Sequence, residues 1–145
     1  MTSAEIRDLE ELEIVCARCG AWAMRIRTTA PGDPLEMPHD RPAGDPGMRA
    51  DADGVRTETA GAGTWLAASL MNGGIEAIRM AMRAGDVDAL YRLHPEIAPL
   101  YCPACGASYC VDEWRLRDEF DPDDPGWYDE TRGVCPDGHE RRVYD

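Results

Sequence analysis

The chain has 145 residues, with 28 acids against 15 bases, a net charge of −13 and no Lys at all. That length bounds one domain or two very small ones. The missing Lys excludes phosphate-loop, Schiff-base and kinase strand-lysine mechanisms, and the acidic field opposes nucleic-acid binding, whose affinity comes from neutralising phosphates.

The apolar content rests on Ala, Met and Trp, with a single Phe. A core this small usually needs a staple, either a metal or disulfides. Met1 to Glu13 is polar and acidic and lacks the apolar stretch of a secretory signal. The longest apolar run, Trp65 to Met71, is far too short to cross a bilayer. A cytoplasmic location is therefore expected. In a reducing compartment, cysteine pairs at C-x-x-C spacing favour metal over disulfide.

In chain order, Thr2 with Glu5 forms a capping box that predicts a short helix through about Leu12. Cys16-Ala-Arg-Cys19-Gly20 follows. Beyond it, Trp22, Met24, Ile26 and Thr28 alternate with Ala23, Arg25 and Arg27, a period-two strand with one apolar face. Thr29 to Gly54 carries five prolines and four glycines and reads as a long surface loop. Val55 to Thr59 is expected to add one edge strand, and Thr64 to Met71 reads equally as helix or strand. Ile75 to Ala84 has helical spacing, Gly85 stops it, and Asp86 caps a second short helix. Ser108–Val111, Trp114–Phe120, Trp127–Val134 and Glu140–Tyr144 read as strands around an Asp/Pro turn at Asp121 to Gly126.

The chemistry lies in the turns. Cys102-Pro-Ala-Cys105-Gly106 and Cys135-Pro-Asp-Gly-His139 each present two metal-binding side chains. Zinc takes four tetrahedral ligands from thiolates and imidazoles, and two such turns supply four. The candidates are Cys16, Cys19, Cys102, Cys105, Cys110, Cys135 and His139, which leaves the pairing open. One partition joins Cys102, Cys105, Cys135 and His139. The other joins Cys16 and Cys19 to Cys102 and Cys105 and leaves Cys110, Cys135 and His139 as an open set. The first is preferred because it closes the shorter loop. Under it, Cys16 and Cys19 are either plain thiols or a second, incomplete site that needs His39, His94, Cys110 or a carboxylate to complete it. Taken singly, Cys110 reads as a small buried side chain, His94 as a packed or capping residue, and His39 as solvated. Trp65, Trp114 and Trp127 read as core. Asp112 to Glu130 holds nine acids and two Arg. Its Asp121-x-Asp123 start fails as a calcium loop, because the closing acid position is Arg132. The run reads as a solvated face or a docking surface for a basic partner.

Cys102, Pro103, Cys105 and Gly106, with Cys135, Pro136, Gly138 and His139, resemble the knuckles of the zinc-ribbon and rubredoxin-like group. The whole chain is similar to small bacterial zinc-binding proteins. The resemblance implies bound Zn2+ and a metal-held fold, and it implies no particular activity. His139 in place of a fourth Cys departs from the four-thiolate iron sites of rubredoxins.

The expected fold is therefore α+β: small zinc-ribbon hairpins with a short helical segment inserted between knuckles. Residues 1–60 would form an N-terminal knuckle hairpin with its loop, 61–99 the helical segment, and 100–145 the C-terminal ribbon. The metal ligands expected are Cys102, Cys105, Cys135 and His139, with Cys16 and Cys19. The expected function is a non-catalytic adaptor or regulatory module that presents an acidic surface to a protein partner, with no membrane role. A metal-dependent hydrolase or redox enzyme using an open zinc set is the alternative. Nucleic-acid binding through Arg141 and Arg142 ranks below both.

Overall fold

A computed structural model of the chain describes residues 10–34, 49–59 and 62–144. Four antiparallel strands, β1 (Glu11–Val15), β2 (Trp22–Thr29), β3 (Gly54–Thr59) and β4 (Ala62–Ala67), form one sheet in chain order. A 3₁₀ turn at Ala68–Leu70 leads to helices α1 (Gly74–Arg83) and α2 (Val87–Leu93), and a second 3₁₀ turn, Pro95–Ile97, follows them. The two-residue strands β5 (Tyr101–Cys102) and β6 (Ala107–Ser108) pair with each other. β7 (Arg115–Asp121), β8 (Asp124–Val134) and β9 (Glu140–Tyr144) form a three-stranded antiparallel sheet.

This architecture corrects the expected α+β class. Among the described residues the chain is mostly antiparallel β structure, 45% strand against 19% helix, with two α-helices. Three stretches account for the difference. The capping-box helix lies largely outside the described residues, and where description begins, Glu11–Val15 is strand. Val55–Thr59 is an inner strand, paired with β2 on one side and β4 on the other. The ambiguous stretch at Thr64 resolves as β4 followed by a 3₁₀ turn. Its Ala and Leu residues suit either state, and the strand forms because β3 offers it an edge to pair with. β3 and β4 lie on either side of the boundary expected at residue 60 and pair along their length. His39 and most of the Pro-rich loop lie outside the described residues. Thr29 and Gly54, at the two ends of that loop, are already in β2 and β3 and face each other across the ladder.

The apolar face read from β2 goes inward: Met24, Ile26 and Thr28 are buried, whereas Trp22 is 36% exposed at the knuckle end. They join Val55, Ile78, Met82 and Leu90 in a core that continues through Ile97 and Leu100 to Trp114 and Val143. Asp86 caps α2 as its sequence suggests, accepting from the Ala89 N–H at 3.0 Å. His94 is a cap as well, its Nδ1 accepting from the Glu96 N–H at 3.3 Å. Buried Thr57 donates to the Ile97 carbonyl at 2.6 Å and ties the first sheet to the segment that enters the cysteine turns. Trp114 is buried and donates to the carbonyls of Leu100 and Tyr109, both at 3.2 Å. Trp65 is half-buried and donates to Thr29 Oγ1. Trp127 is no core residue, since it is 66% exposed on the β7–β8 hairpin.

Candidate metal centres

Short turns at the ends of strand pairs carry the thiols. In the first, the Gly20 N–H donates to the Cys16 carbonyl at 3.0 Å and the Arg18 N–H points at Cys16 Sγ, 3.4 Å away. In the second, the Gly106 N–H donates to the Cys102 carbonyl at 2.9 Å and the Cys105 N–H lies 3.4 Å from Cys102 Sγ. The third has the Gly138 N–H on the Cys135 carbonyl at 2.9 Å and the His139 N–H 3.4 Å from Cys135 Sγ. Gly20, Gly106 and Gly138 have φ of 73°, 66° and 89°. Only glycine adopts that region without cost, and the reversal it allows aims the amides at sulfur.

The second and third turns meet. Cys102, Cys105, Cys135 and His139 place one ligand atom each within 4.8 Å of all the others. His139 Nδ1 lies 3.6 Å from Cys102 Sγ, 3.2 Å from Cys105 Sγ and 3.4 Å from Cys135 Sγ, and the Cys105 and Cys135 sulfurs are 3.8 Å apart. Cys102 and Cys135 are buried. Asp137, which the sequence reading passed over, places Oδ2 3.3 Å from Cys105 Sγ and 3.4 Å from the Tyr109 hydroxyl.

A second group forms from Cys16, Cys19 and Cys110, again within 4.8 Å of one another. Cys19 and Cys110 sulfurs are 3.6 Å apart across 91 residues of sequence. The Ala17 N–H donates to the Ser108 carbonyl at 2.9 Å, which docks the first turn on the strand leading to Cys110. Cys110 is buried, as read, yet it stands beside two other thiols. The sequence offers it among several completions of Cys16 and Cys19, and two signals could have singled it out. Seven candidates less a complete set of four leave Cys16, Cys19 and Cys110. Cys110-Val-Asp-Glu113 also repeats the turn with Glu in the second ligand's place, and the Glu113 N–H donates to the Cys110 carbonyl at 3.0 Å. The open set of Cys110, Cys135 and His139 is not assembled. Cys110 is in one group and the other two are in the other.

The electrostatics match between the groups. Burial pushes the Cys135 thiol up, but the N–H groups of His139 and Asp137 and the neighbouring thiols outweigh it and bring it down to about 7. Cys16 is likewise raised by burial and then brought down to about 7 by the N–H groups of Cys110, Cys19 and Arg18. The Tyr109 hydroxyl draws Cys105 down, but burial, Asp137 and the other thiols prevail and push it up to about 12. Burial and the Cys19 thiol push Cys110 up to about 11. Each group thus holds one thiol near its ionised form and another that stays protonated beside it. A cation between them is what allows several to ionise together.

Arg141 is not part of a basic spot. Burial lowers its pKa, and its guanidinium donates to the carbonyls of Ala98 at 2.8 Å, Tyr101 at 2.7 Å and Pro95 at 3.4 Å. It also lies over the Tyr91 ring, 5.1 Å from the centroid. Arg142 faces Glu130 at 4.0 Å.

The fold and these groups define a β-rich protein with two cysteine-centred sites that could hold metal ions. The chain belongs to the family described as a domain of unknown function (DUF8328), which matches residues 6–145. No curated protein and no solved structure matches it. Among the described residues, no helix is long and apolar enough to cross a membrane.

Proposed function

We propose that the chain is a zinc-held, non-catalytic interaction module whose acidic β7–β8 hairpin docks a basic segment of a protein partner. The metal reading rests on ligand geometry. Zinc with Zn–S of about 2.3 Å and Zn–N of about 2.0–2.1 Å gives tetrahedral edges of about 3.8 Å between sulfurs and about 3.5 Å from sulfur to nitrogen. The separations of 3.8 Å between Cys105 and Cys135 and of 3.2, 3.4 and 3.6 Å to His139 Nδ1 fall on those values. Three thiolates and an imidazole are a closed structural set. When bound, the ion would hold the β5–β6 turn against the β8–β9 turn.

The hairpin carries the docking reading. Glu119 stands opposite Glu130, and Asp121 opposite Asp124. Like charges directly opposed weaken a ladder. Arg117 and Arg132 relieve the first pair through ion pairs at 2.6 and 3.3 Å, while Asp123, Asp124 and Asp129 stay exposed. Phe120, Trp127 and Tyr128 are 51%, 66% and 40% exposed among them. Exposed aromatics ringed by acids suit an Arg- or Lys-rich segment, which gains both charge pairing and cation–π contact.

Two measurements test this. Metal analysis of protein purified under reducing conditions should find zinc, with loss of one equivalent in Cys105→Ser. Affinity capture of host proteins should recover a partner with a basic segment, released by salt and lost with Trp127→Ala and with Asp123→Asn/Asp124→Asn. Equal recovery by both variants would refute the docking face.

A further inference from the structure

We propose that Cys16, Cys19 and Cys110 form a second metal site. It binds a thiophilic divalent ion through three thiolates and keeps its fourth position for an exogenous nitrogen or sulfur ligand. Its ligands are distinct from those of the Cys102 centre, and the two fail separately in the test below.

Three observations converge on it. The trio lies within one coordination sphere, with Cys19 and Cys110 sulfurs 3.6 Å apart, close to the edge of about 3.8 Å that a tetrahedral zinc thiolate set requires. The supporting turn is the one that serves the complete centre. Gly20 and Gly106 have the same left-handed φ, and each turn directs one N–H at the first sulfur from 3.4 Å. The trio is also built from two distant parts of the chain, held in register by the Ala17–Ser108 hydrogen bond. A loose surface thiol needs none of this.

The fourth position is the second half of the inference. Among the described residues, no imidazole or carboxylate joins the three sulfurs within 4.8 Å. Glu113 occupies the knuckle place where a fourth ligand would be encoded, yet its carboxylate is outside the group. Cys16 and Cys110 are buried while Cys19 is exposed, so the group opens to solvent on the Cys19 side. Three soft protein ligands with an accessible fourth position are the arrangement of zinc sites that accept a ligand from outside. Thiolates select soft or borderline ions, which excludes Mg2+ and Ca2+ as occupants.

Co2+ is the probe, because its thiolate charge-transfer and d–d bands report ligand type and number. The full-length chain, stripped of metal and kept reduced, should take up two Co2+. Cys19→Ser, an exposed substitution that leaves the core intact, should take up one, and Cys105→Ser should also take up one. Adding imidazole should shift the d–d bands of Cys105→Ser, whose remaining ion lies in the trio, and leave those of Cys19→Ser unchanged. Should Cys105→Ser fail to fold, the wild-type minus Cys19→Ser difference spectrum gives the same reading. A single Co2+ in the wild type, unaltered by Cys19→Ser, would overturn the second site. Two Co2+ with no response to imidazole would overturn the open position and place a fourth ligand in the chain. Loss of uptake in Cys19→Ser alone would count against the Cys102 centre and leave the trio standing.

Discussion

On the proposed reading, removing the metal from the Cys102 centre should cost the chain a cross-link, and the size of the loss follows from the fold. Cys105 and Cys135 are 30 residues apart. Closing a loop of that length removes about 3.6 kcal/mol of chain entropy from the unfolded state on the disulfide scale, and metal clips act in the same way. The β5–β6 ladder itself is short, with Tyr101↔Ser108 and Cys102↔Ala107 as its pairs. For a chain of this size a change of 1 kcal/mol moves the midpoint by roughly 3–4 °C, so chelation should lower it by roughly 10–15 °C. The assay is thermal unfolding in Cys19→Ser, with and without a strong chelator, at one protein concentration. Cys105→Ser in the same background should start at the lower midpoint and ignore chelator. A chelator shift under about 3 °C would break the argument, because the four ligands would then be carrying no cross-link.

Further outcomes follow from single contacts. Thr57→Val strands the buried Ile97 carbonyl that Thr57 reaches at 2.6 Å, which should cost about 1–3 kcal/mol in denaturant unfolding without altering metal content. Gly133→Ala would place a Cβ 2.9 Å from Leu116 and 3.0 Å from both Trp114 and Val143. Its expected cost is about 1–3 kcal/mol from overpacking, read by the same unfolding curves. Burial raises the Tyr144 phenol above its ordinary value, with the Thr59 hydroxyl pulling the other way. The unfolded chain therefore ionises this group first. The contribution is full below a pH of about 10 and fades as pH rises beyond it. Ultraviolet titration should show one fewer late phenolate in Tyr144→Phe than in the wild type, where Tyr101 and Tyr109 are raised as well.

The turns were legible because their chemistry is local. A Cys, two residues, a second Cys and a Gly specify a reversal whatever lies beyond, and Cys102, Cys105, Cys135 and His139 came together on that basis. Asp86 and His94 were readable for the same reason, since a cap bonds within a few residues. Cys110 was only one of several possible completions of Cys16 and Cys19, because its partners are 91 and 94 positions away and the pairing of Ala17 with Ser108 is what brings them close. The sheet was misjudged likewise. Thr64 to Ala67 is ambiguous alone and becomes strand only against β3. Trp127 was assigned to the core on hydrophobicity, but the hairpin carrying it reaches past the core and leaves it exposed.

Both candidate centres draw on one segment. Tyr101 to Cys110 supplies Cys102 and Cys105 to one group and Cys110 to the other. Between them lie Ala107 and Ser108, paired back to Tyr101 and Cys102, with the Ser108 carbonyl accepting from Ala17. The Tyr109 hydroxyl reaches Asp137 beside Cys105, while its N–H donates to the Leu100 carbonyl. A displacement of either turn must therefore move a strand of two residues whose hydrogen bonds serve the other. This segment also touches both sheets' turns, through Ala17 on one side and Asp137 on the other. An ion in the first group would fix the hairpin's base through Cys135 and His139. An ion in the second would fix the knuckle of the first sheet to the same segment. On the proposed reading, the interaction surface is held at both ends of a single short span, and metal loading at the trio would tighten the mount of a docking face that it does not touch.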